Sequence, residues 1–290
     1  MQFGASTFIW VSPFSNKTLG LVKKVREMGF DVIEICIEDP AIIDVSRINE
    51  ALKENDLKTT ICGAFGPDRD ASSDDRNIRA NAVKYLEACI DAARGLGAPF
   101  VAGPMYSAVG KTQLLSPDER AKQWSLAVET LKPVADYAGQ RGVQLAIEPL
   151  NRFETDFINT VEQGLDLVGR VGATNVGLLV DTFHMNIEEK DIPAAIRKAG
   201  SKVFHFHSCE NDRGTPGAGH VEWKEVVSAL REINYQGPVV IEAFTTEITE
   251  IARAVSLWRP LAPSQDSLAQ EGLRFLQKIF NKDSSVPMLS

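Results

Sequence analysis

The chain has 290 residues, of which 44% are hydrophobic and 24% charged, with a formal net charge of −8 and a sequence pI near 5.2. This length suits one large α/β barrel of about 250 residues better than two average domains, so we predict a single domain over residues 1–290. The acidic balance argues against a nucleic-acid backbone or an anionic membrane as the main partner.

The cysteine pattern and the start of the chain indicate the compartment. The four cysteines are scattered without a Cys-x-x-Cys motif, which predicts free thiols in a reducing environment. The opening residues MQFGASTFIWVSPF lack the basic region and cleavage site of a signal peptide. No run approaches the roughly 18 apolar residues of a membrane span. We therefore expect a soluble, cytoplasmic protein.

Strand-like and helix-like segments alternate along the whole chain. Aliphatic and β-branched runs bounded by Gly, Pro or Asn predict eight short buried strands, at residues 3–8, 31–37, 57–62, 98–103, 143–149, 175–181, 201–207 and 237–244. Helical spacing and end signals predict helices at residues 18–28, 46–55, 73–96, 116–140, from about 160, 192–199, 223–233 and 245–258, with one more at 267–281.

This alternation indicates the fold class. Eight strands that alternate with helices predict a parallel sheet, and eight such units in this length favour closure. The absence of a GxGxxG motif after the first strand disfavours a dinucleotide-binding fold. We predict an α/β protein with a single-domain (β/α)₈ TIM barrel and an extra C-terminal helix.

Four acidic or imidazole residues stand at the trailing ends of the last four predicted strands. They are Glu148 in QLAIEP, Asp181 in VGLLVD, His207 in KVFHFH and Glu242 in PVVIEAF. An unpaired charge at the end of a buried strand is costly, whereas the carboxyl ends of barrel strands meet at the face where chemistry is done. We predict that these four side chains converge on a divalent metal.

The ligand types narrow the choice of metal. Three carboxylates and one imidazole suit Mn²⁺, Co²⁺ or Mg²⁺ better than structural Zn²⁺. Cys209 lies two residues past His207, and we expect it to lie in the following loop and not to bind the metal. His205 shares the inward face with His207 but lies deeper, so we expect it to pack behind the ligands.

Two glutamates beside a metal suggest a reaction. A ketose that chelates the cation through its carbonyl and adjacent hydroxyl would be polarised, so that one carboxylate could remove a proton to give an enediolate. One of Glu148 and Glu242 would remove the proton. If the other returns a proton to the opposite face of the same carbon, the configuration of that carbon is inverted and the reaction is an epimerisation. Return of the proton to the neighbouring carbon gives aldose–ketose isomerisation, and the residues alone leave both open.

Residues that follow the strands are suited to holding a sugar. Glu154 in NRFET, His184 in DTFHMN and Arg213 in CENDRGTPGAGH are candidates for contacts to sugar hydroxyls. The glycine-rich loop 214–219 lacks the spacing and the lysine of a Walker loop, which favours an unphosphorylated sugar. Aromatic residues near strand ends are candidates for an apolar wall: Phe8, Trp10, Tyr106 and Phe244.

Four ordered segments resemble the ketose 3-epimerase family, which includes the D-tagatose, D-psicose (allulose) and L-ribulose 3-epimerases within the xylose isomerase-like TIM barrel superfamily. The segments are IEPLNRFETDFINT, VDTFHMNIEE, HFHSCENDRGTPGAGHVEW and VVIEAF. The resemblance covers nearly the whole chain. It implies a Mn²⁺ or Co²⁺ site, acid–base roles for the two glutamates, and a homodimer or homotetramer. The residues implied as metal ligands are Glu148, Asp181, His207 and Glu242, and those implied as contacts to substrate oxygens are Glu154, His184 and Arg213.

Two further positions concern the preferred sugar. Relatives usually carry an aromatic residue at the end of strand one, where this chain has Ser6, and Met105 follows strand four. We expect both residues to line the pocket.

We therefore predict metal-dependent epimerisation of free ketoses at C3. The alternative is a sugar or hydroxypyruvate isomerase on the same barrel. A DNA-repair endonuclease of the superfamily would need several metals, more histidine ligands and a basic groove, and the net charge of −8 and the presence of four histidines disfavour it. A non-catalytic sugar-binding barrel is disfavoured because both glutamates are present.

Overall fold

The computed structural model describes residues 1–281 and shows a closed barrel of parallel strands. Neighbouring strands are consecutive in sequence, and the barrel closes where Phe3 of the first strand pairs with Val239 of the last. The strands are β1 (Phe3–Ser6), β2 (Val32–Ile37), β3 (Lys58–Gly63), β4 (Phe100–Gly103), β5 (Gln144–Ile147), β6 (Val176–Asp181), β7 (Val203–His207) and β8 (Val239–Ile241). The predicted (β/α)₈ barrel is confirmed.

Helices surround the barrel. Within the described residues they are α1 (Gly20–Glu27), α2 (Val45–Glu54), α3 (Arg76–Leu96), α4 (Pro117–Gln140), α5 (Val161–Val171), α6 (Thr182–Glu188), α7 (Ile192–Ala199), α8 (Trp223–Glu232), α9 (Thr249–Ala254) and α10 (Gln265–Asn281). Capping boxes begin α4 and α5, because the side chains of Ser116 and Thr160 accept hydrogen bonds from backbone N–H groups three residues later. The predicted C-terminal helix is α10, which lies against β1 and β8.

Four elements differ from the predictions. β1 stops at Ser6, whose side chain caps a 3₁₀ turn at Thr7–Ile9, rather than running on to residue 8. β8 ends at Ile241, and the helix predicted over 245–258 forms only between residues 249 and 254. The sequence prediction missed α6, which begins directly after β6.

The two faces of each strand have different roles. In β2, Ile33, Ile35 and Ile37 belong to the apolar core between the barrel and the helices, where burying each such side chain contributes about 1.5–3 kcal/mol. Glu34 and Cys36 alternate with them, and their polar atoms contact residues of other strands inside the barrel. The interior beneath the barrel mouth is therefore partly polar.

Residues 1–281 contain no helix with the length and apolar character needed to cross a bilayer. All four cysteines are free thiols, as predicted, and the structure shows that all four are buried.

Candidate active site

The ends of β5 to β8 bring four predicted residues into one buried group. Glu148 follows β5, Asp181 and His207 end β6 and β7, and Glu242 follows β8. One ligand atom from each lies within 4.8 Å of those of the others, and all four residues are buried. The structure therefore brings together the four side chains that were predicted as metal ligands.

Asp181 serves both the fold and this group. Its Oδ1 accepts a hydrogen bond from the backbone N–H of Phe183 at 2.7 Å and so caps α6. Its Oδ2 faces the group, 3.8 Å from Nδ1 of His207, and accepts from the thiol of Cys209 at 3.2 Å. One carboxylate thus begins a helix and contributes an oxygen to the site.

The electrostatics of the group fit a divalent cation. Burial raises the pKa of Glu148 well above its ordinary value, and the neighbouring Glu242 carboxylate raises it further. Nδ1 of His207 is buried without a hydrogen-bond partner, 3.5 Å from Oε2 of Glu242. A hard or borderline divalent cation would accept electron pairs from the carboxylate oxygens and from the unpartnered imidazole nitrogen, and its charge would offset the repulsion between the carboxylates.

A fifth buried residue, Glu34 of β2, supports the group from below and was missed at the sequence level. Its Oε1 accepts a hydrogen bond from Nε2 of His207 at 2.8 Å, and its Oε2 accepts from Nε2 of His205 at 2.6 Å. The hydroxyl of Thr60 donates to Oε2 at 3.1 Å. With its Nε2 committed to Glu34, His207 presents Nδ1 to the acidic group. His205 lies behind the group, as predicted.

The residues predicted to contact sugar lie beside the two glutamates. Arg213 donates to Oε2 of Glu242 at 3.0 Å and lies 3.6 Å from Oε1 of Glu154. Nε2 of His184 lies 3.7 Å from Oε1 of Glu148 and 3.1 Å from Arg213. Burial, with the positive charge of Arg213, lowers the pKa of His184 to about 3, so this imidazole is neutral at pH 7.

The loop between β7 and α8 fixes the position of Arg213. Its guanidinium lies between the rings of Phe183 and Phe244, 4.1 and 4.8 Å from their centroids. The backbone of Arg213 is left-handed, with φ of 64°, a strained conformation for a residue with a side chain. The buried carboxylate of Glu210 holds this loop by accepting from backbone N–H groups and from the indole of Trp223. Sequence reasoning missed Glu210.

A cavity of about 360 Å³ opens at the barrel mouth above the group. Its lining includes most of the predicted site residues, namely Glu148, Glu154, His184, Arg213, Glu242, Phe8 and Phe244. The rings of Phe8 and Phe244 pack against each other with centroids 5.5 Å apart and form one wall, as predicted. Trp10 and Tyr106, predicted with them, do not line the cavity.

Ser6 and Met105 do not line this cavity, contrary to expectation. Both are fully buried. The Ser6 hydroxyl lies 3.3 Å from the Cys36 sulfur inside the barrel, because β1 ends there and the chain turns. Phe8, two residues later, forms the wall instead. Met105 is packed in the main apolar core.

Comparisons with known proteins show the family of this chain. The sequence model of the xylose isomerase-like TIM barrel family matches residues 22–279. A probable ketose 3-epimerase of Synechocystis is 36% identical over 281 residues, covering 97% of each chain. A D-psicose 3-epimerase of Agrobacterium fabrum is 34% identical over 92% of this chain and 93% of its own. The chain belongs to the ketose 3-epimerase family.

A solved structure supports the same family assignment. The structure of an L-ribulose 3-epimerase superposes with a TM-score of 0.90 at 33% identity, covering 96% of this chain and 94% of the other. Membership of this family makes the chain an isomerase, as the sequence predicts.

Proposed function

We propose that this protein is a metal-dependent ketose 3-epimerase that acts on free ketoses of the D-tagatose, D-psicose, D-fructose or L-ribulose class. The observation that carries the proposal is the pairing of Glu148 and Glu242 in one buried group with Asp181 and His207. Relatives named as D-psicose and L-ribulose 3-epimerases, 31–34% identical over at least 92% of this chain, support the reaction and the substrate class.

The four grouped residues would hold Mn²⁺, Co²⁺ or Mg²⁺. Glu148, Asp181 and Glu242 supply oxygen donors and His207 supplies Nδ1, a donor set that suits these ions. When bound, such a cation polarises the substrate carbonyl and makes the hydrogen on the adjacent carbon more acidic.

The two glutamates move the proton. They follow β5 and β8, the outer two of the four strands, so they approach the group from opposite flanks. In the proposed reaction, one carboxylate takes the hydrogen from C3 and the other returns a proton to the opposite face of the same carbon. Arg213 and neutral His184 hold the substrate oxygens nearby.

The cavity lining supports an unphosphorylated substrate. Among the described residues that line the cavity, Arg213 is the one cationic side chain, because His184 is neutral at pH 7. Arg213 is already paired with Glu242 and lies within 3.6 Å of Asp181. A phosphate would meet the carboxylates of Glu38 and Glu250 in the same cavity without a free cation.

Solvent exchange tests the reaction class. Incubation of a ketose with the Mn²⁺-loaded enzyme in D₂O should place deuterium at C3 of the recovered ketose and of its C3 epimer, measured by NMR. Label confined to C1, with formation of an aldose, would favour a sugar isomerase instead and contradict the proposal.

Replacing Glu34 with glutamine should weaken metal binding by about 10- to 100-fold, the usual effect of removing a partner that orients a ligating histidine. The amide keeps the volume but loses the charge that fixes Nε2 of His207. Calorimetric titration of metal-free protein with Mn²⁺ measures the effect, with circular dichroism to verify folding. Glu38→Gln, which changes the carboxylate directly after the end of β2 and does not contact His207, is the matched control. Equal affinities in a folded Glu34→Gln variant would contradict the role.

A further inference from the structure

The cavity extends across the barrel mouth, away from the proposed reacting groups. Those groups stand on β5 to β8, and in an eight-stranded closed barrel β2 lies opposite β6. The same cavity is also lined by Phe8, which follows β1, and by Cys62 and Phe65 at and just after the end of β3. A ketose whose C3 lies between Glu148 and Glu242 therefore directs its far end toward β1 to β3.

Glu38 stands at that far end. It follows Ile37, the last residue of β2, is partly buried and lines the cavity together with Ser12. The Ser12 hydroxyl lies 2.8 Å from each carboxylate oxygen of Glu38. One hydroxyl donates only one hydrogen, so this contact leaves most of the acceptor capacity of the carboxylate unfilled.

The carboxylate of Glu38 has no cationic partner at ion-pair distance among residues 1–281. The nearby guanidinium of Arg69 donates instead to the backbone carbonyl of Glu38, at 2.9 Å. Burial raises the pKa of Glu38, and the hydroxyl of Ser12 and the charge of Arg69 only partly offset that rise. A hydroxyl group of a ligand would complete the hydrogen bonding of this carboxylate.

The surroundings of Glu38 in the cavity are otherwise largely apolar. Phe8, Phe65, Ile251 and Val255 contribute rings and aliphatic chains, and the other carboxylate of this region, Glu250, is exposed to solvent. A polar group at the end of a ligand would therefore have Glu38 and Ser12 as its main partners there.

We propose that the Glu38 carboxylate accepts a hydrogen bond from the terminal hydroxyl of the substrate and thereby selects ketohexoses with a free hydroxyl at C6. The inference rests on the proposed function, because it takes the reacting carbons to lie between the two glutamates. It predicts that the enzyme discriminates against 6-deoxyketohexoses, which lack the donor, and against ketohexose 6-phosphates, whose charge the carboxylate repels.

The test compares one ketohexose with its 6-deoxy analogue in steady-state kinetics. For the wild type, kcat/KM should favour the hydroxylated sugar by about tenfold, the scale of one hydrogen bond to a charged group. In Glu38→Leu this ratio should fall to about one, through a raised KM for the hydroxylated sugar, because the contact is remote from the reacting carbon. Glu38→Gln retains an acceptor and should give an intermediate ratio.

Controls separate this role from support of the Ser12 loop. A purely structural role would change both sugars alike and leave their ratio at the wild-type value, and that result would overturn the inference. Glu250→Gln, which changes an exposed carboxylate of the same cavity, should keep the wild-type ratio. A wild-type enzyme that converts no ketose would overturn the proposed function itself, and this is measured before any variant.

Discussion

Replacement of Glu148 or Glu242 by glutamine is expected to lower the rate of epimerisation by about 10²- to 10⁴-fold, the usual contribution of one positioned acid–base group. Glutamine preserves shape and an oxygen donor, but its amide cannot take or return the C3 proton. The two residues come from strands separated by β6 and β7, so neither can substitute for the other. Steady-state rates with a ketohexose measure the loss.

Isotope exchange makes this prediction sharper. Each variant retains one carboxylate and should exchange the C3 hydrogen of only one of the two epimers with D₂O, without converting it to the other. Metal analysis must show that the cation is still bound, since both glutamates are also proposed ligands. Glu250→Gln, at the exposed side of the cavity, should keep wild-type activity. Substantial epimerisation by a metal-loaded Glu148→Gln or Glu242→Gln enzyme would refute the assignment of two bases.

Chelation of the metal with EDTA should abolish activity and also lower the melting temperature. A ligand present at 100 times its Kd stabilises the folded state by about 2.7 kcal/mol. At roughly 2–4 °C per kcal/mol for a chain of about this size, removal should lower Tm by about 5–10 °C. The carboxylates of Glu148, Asp181 and Glu242 are crowded and buried, and repulsion between them adds to the loss. Mn²⁺ or Co²⁺ should restore both properties.

Asp181→Asn is the matched control for this experiment. Asparagine retains an oxygen that can cap α6, so the helix start is preserved, while the site loses a charged donor. The variant should show a much smaller metal-dependent rise in Tm by scanning fluorimetry. If EDTA-treated wild type, shown by elemental analysis to lack metal, keeps its activity and its Tm, the metal-dependent proposal is wrong.

The convergence of the four strand-end residues could be predicted from sequence for a physical reason. Each is a charged or imidazole side chain directly at the end of an apolar run, and the geometry of a parallel barrel brings such ends to one mouth. Asp181 and His207 end their strands, and Glu148 and Glu242 follow theirs by one residue. Their catalytic and ligand roles, the identity of the metal and the homodimer or homotetramer stay predictions.

Glu34 shows what the strand pattern alone conceals. Glu34 lies in the apolar run VIEICI, as Glu242 lies in the apolar run VVIEAF. Burying a glutamate in such a run is costly unless its carboxylate has partners. Its partners, however, come from β3 and β7, far away in sequence. The run could have marked Glu34 as unusual, but its hydrogen bonds required the closed barrel.

The misplacement of Ser6 has a local cause. Period-two alternation predicts which face a residue takes but not where a strand stops. β1 stops at Ser6 because the side chain caps the following turn, which brings Phe8 to the cavity instead. The short α9 likewise reflects loop conformation at the mouth, which periodicity of the sequence does not encode.

The cavity combines residues at rigid strand ends with residues on loops and short helices, and this matters for engineering the protein. The grouped residues Glu148, Asp181, His207 and Glu242 stand on or directly beside the rigid barrel, whereas the opposite wall includes the 3₁₀ turn after β1 and α9. Libraries confined to those peripheral segments could change which ketose the proposed enzyme accepts, while the four grouped residues stay as they are.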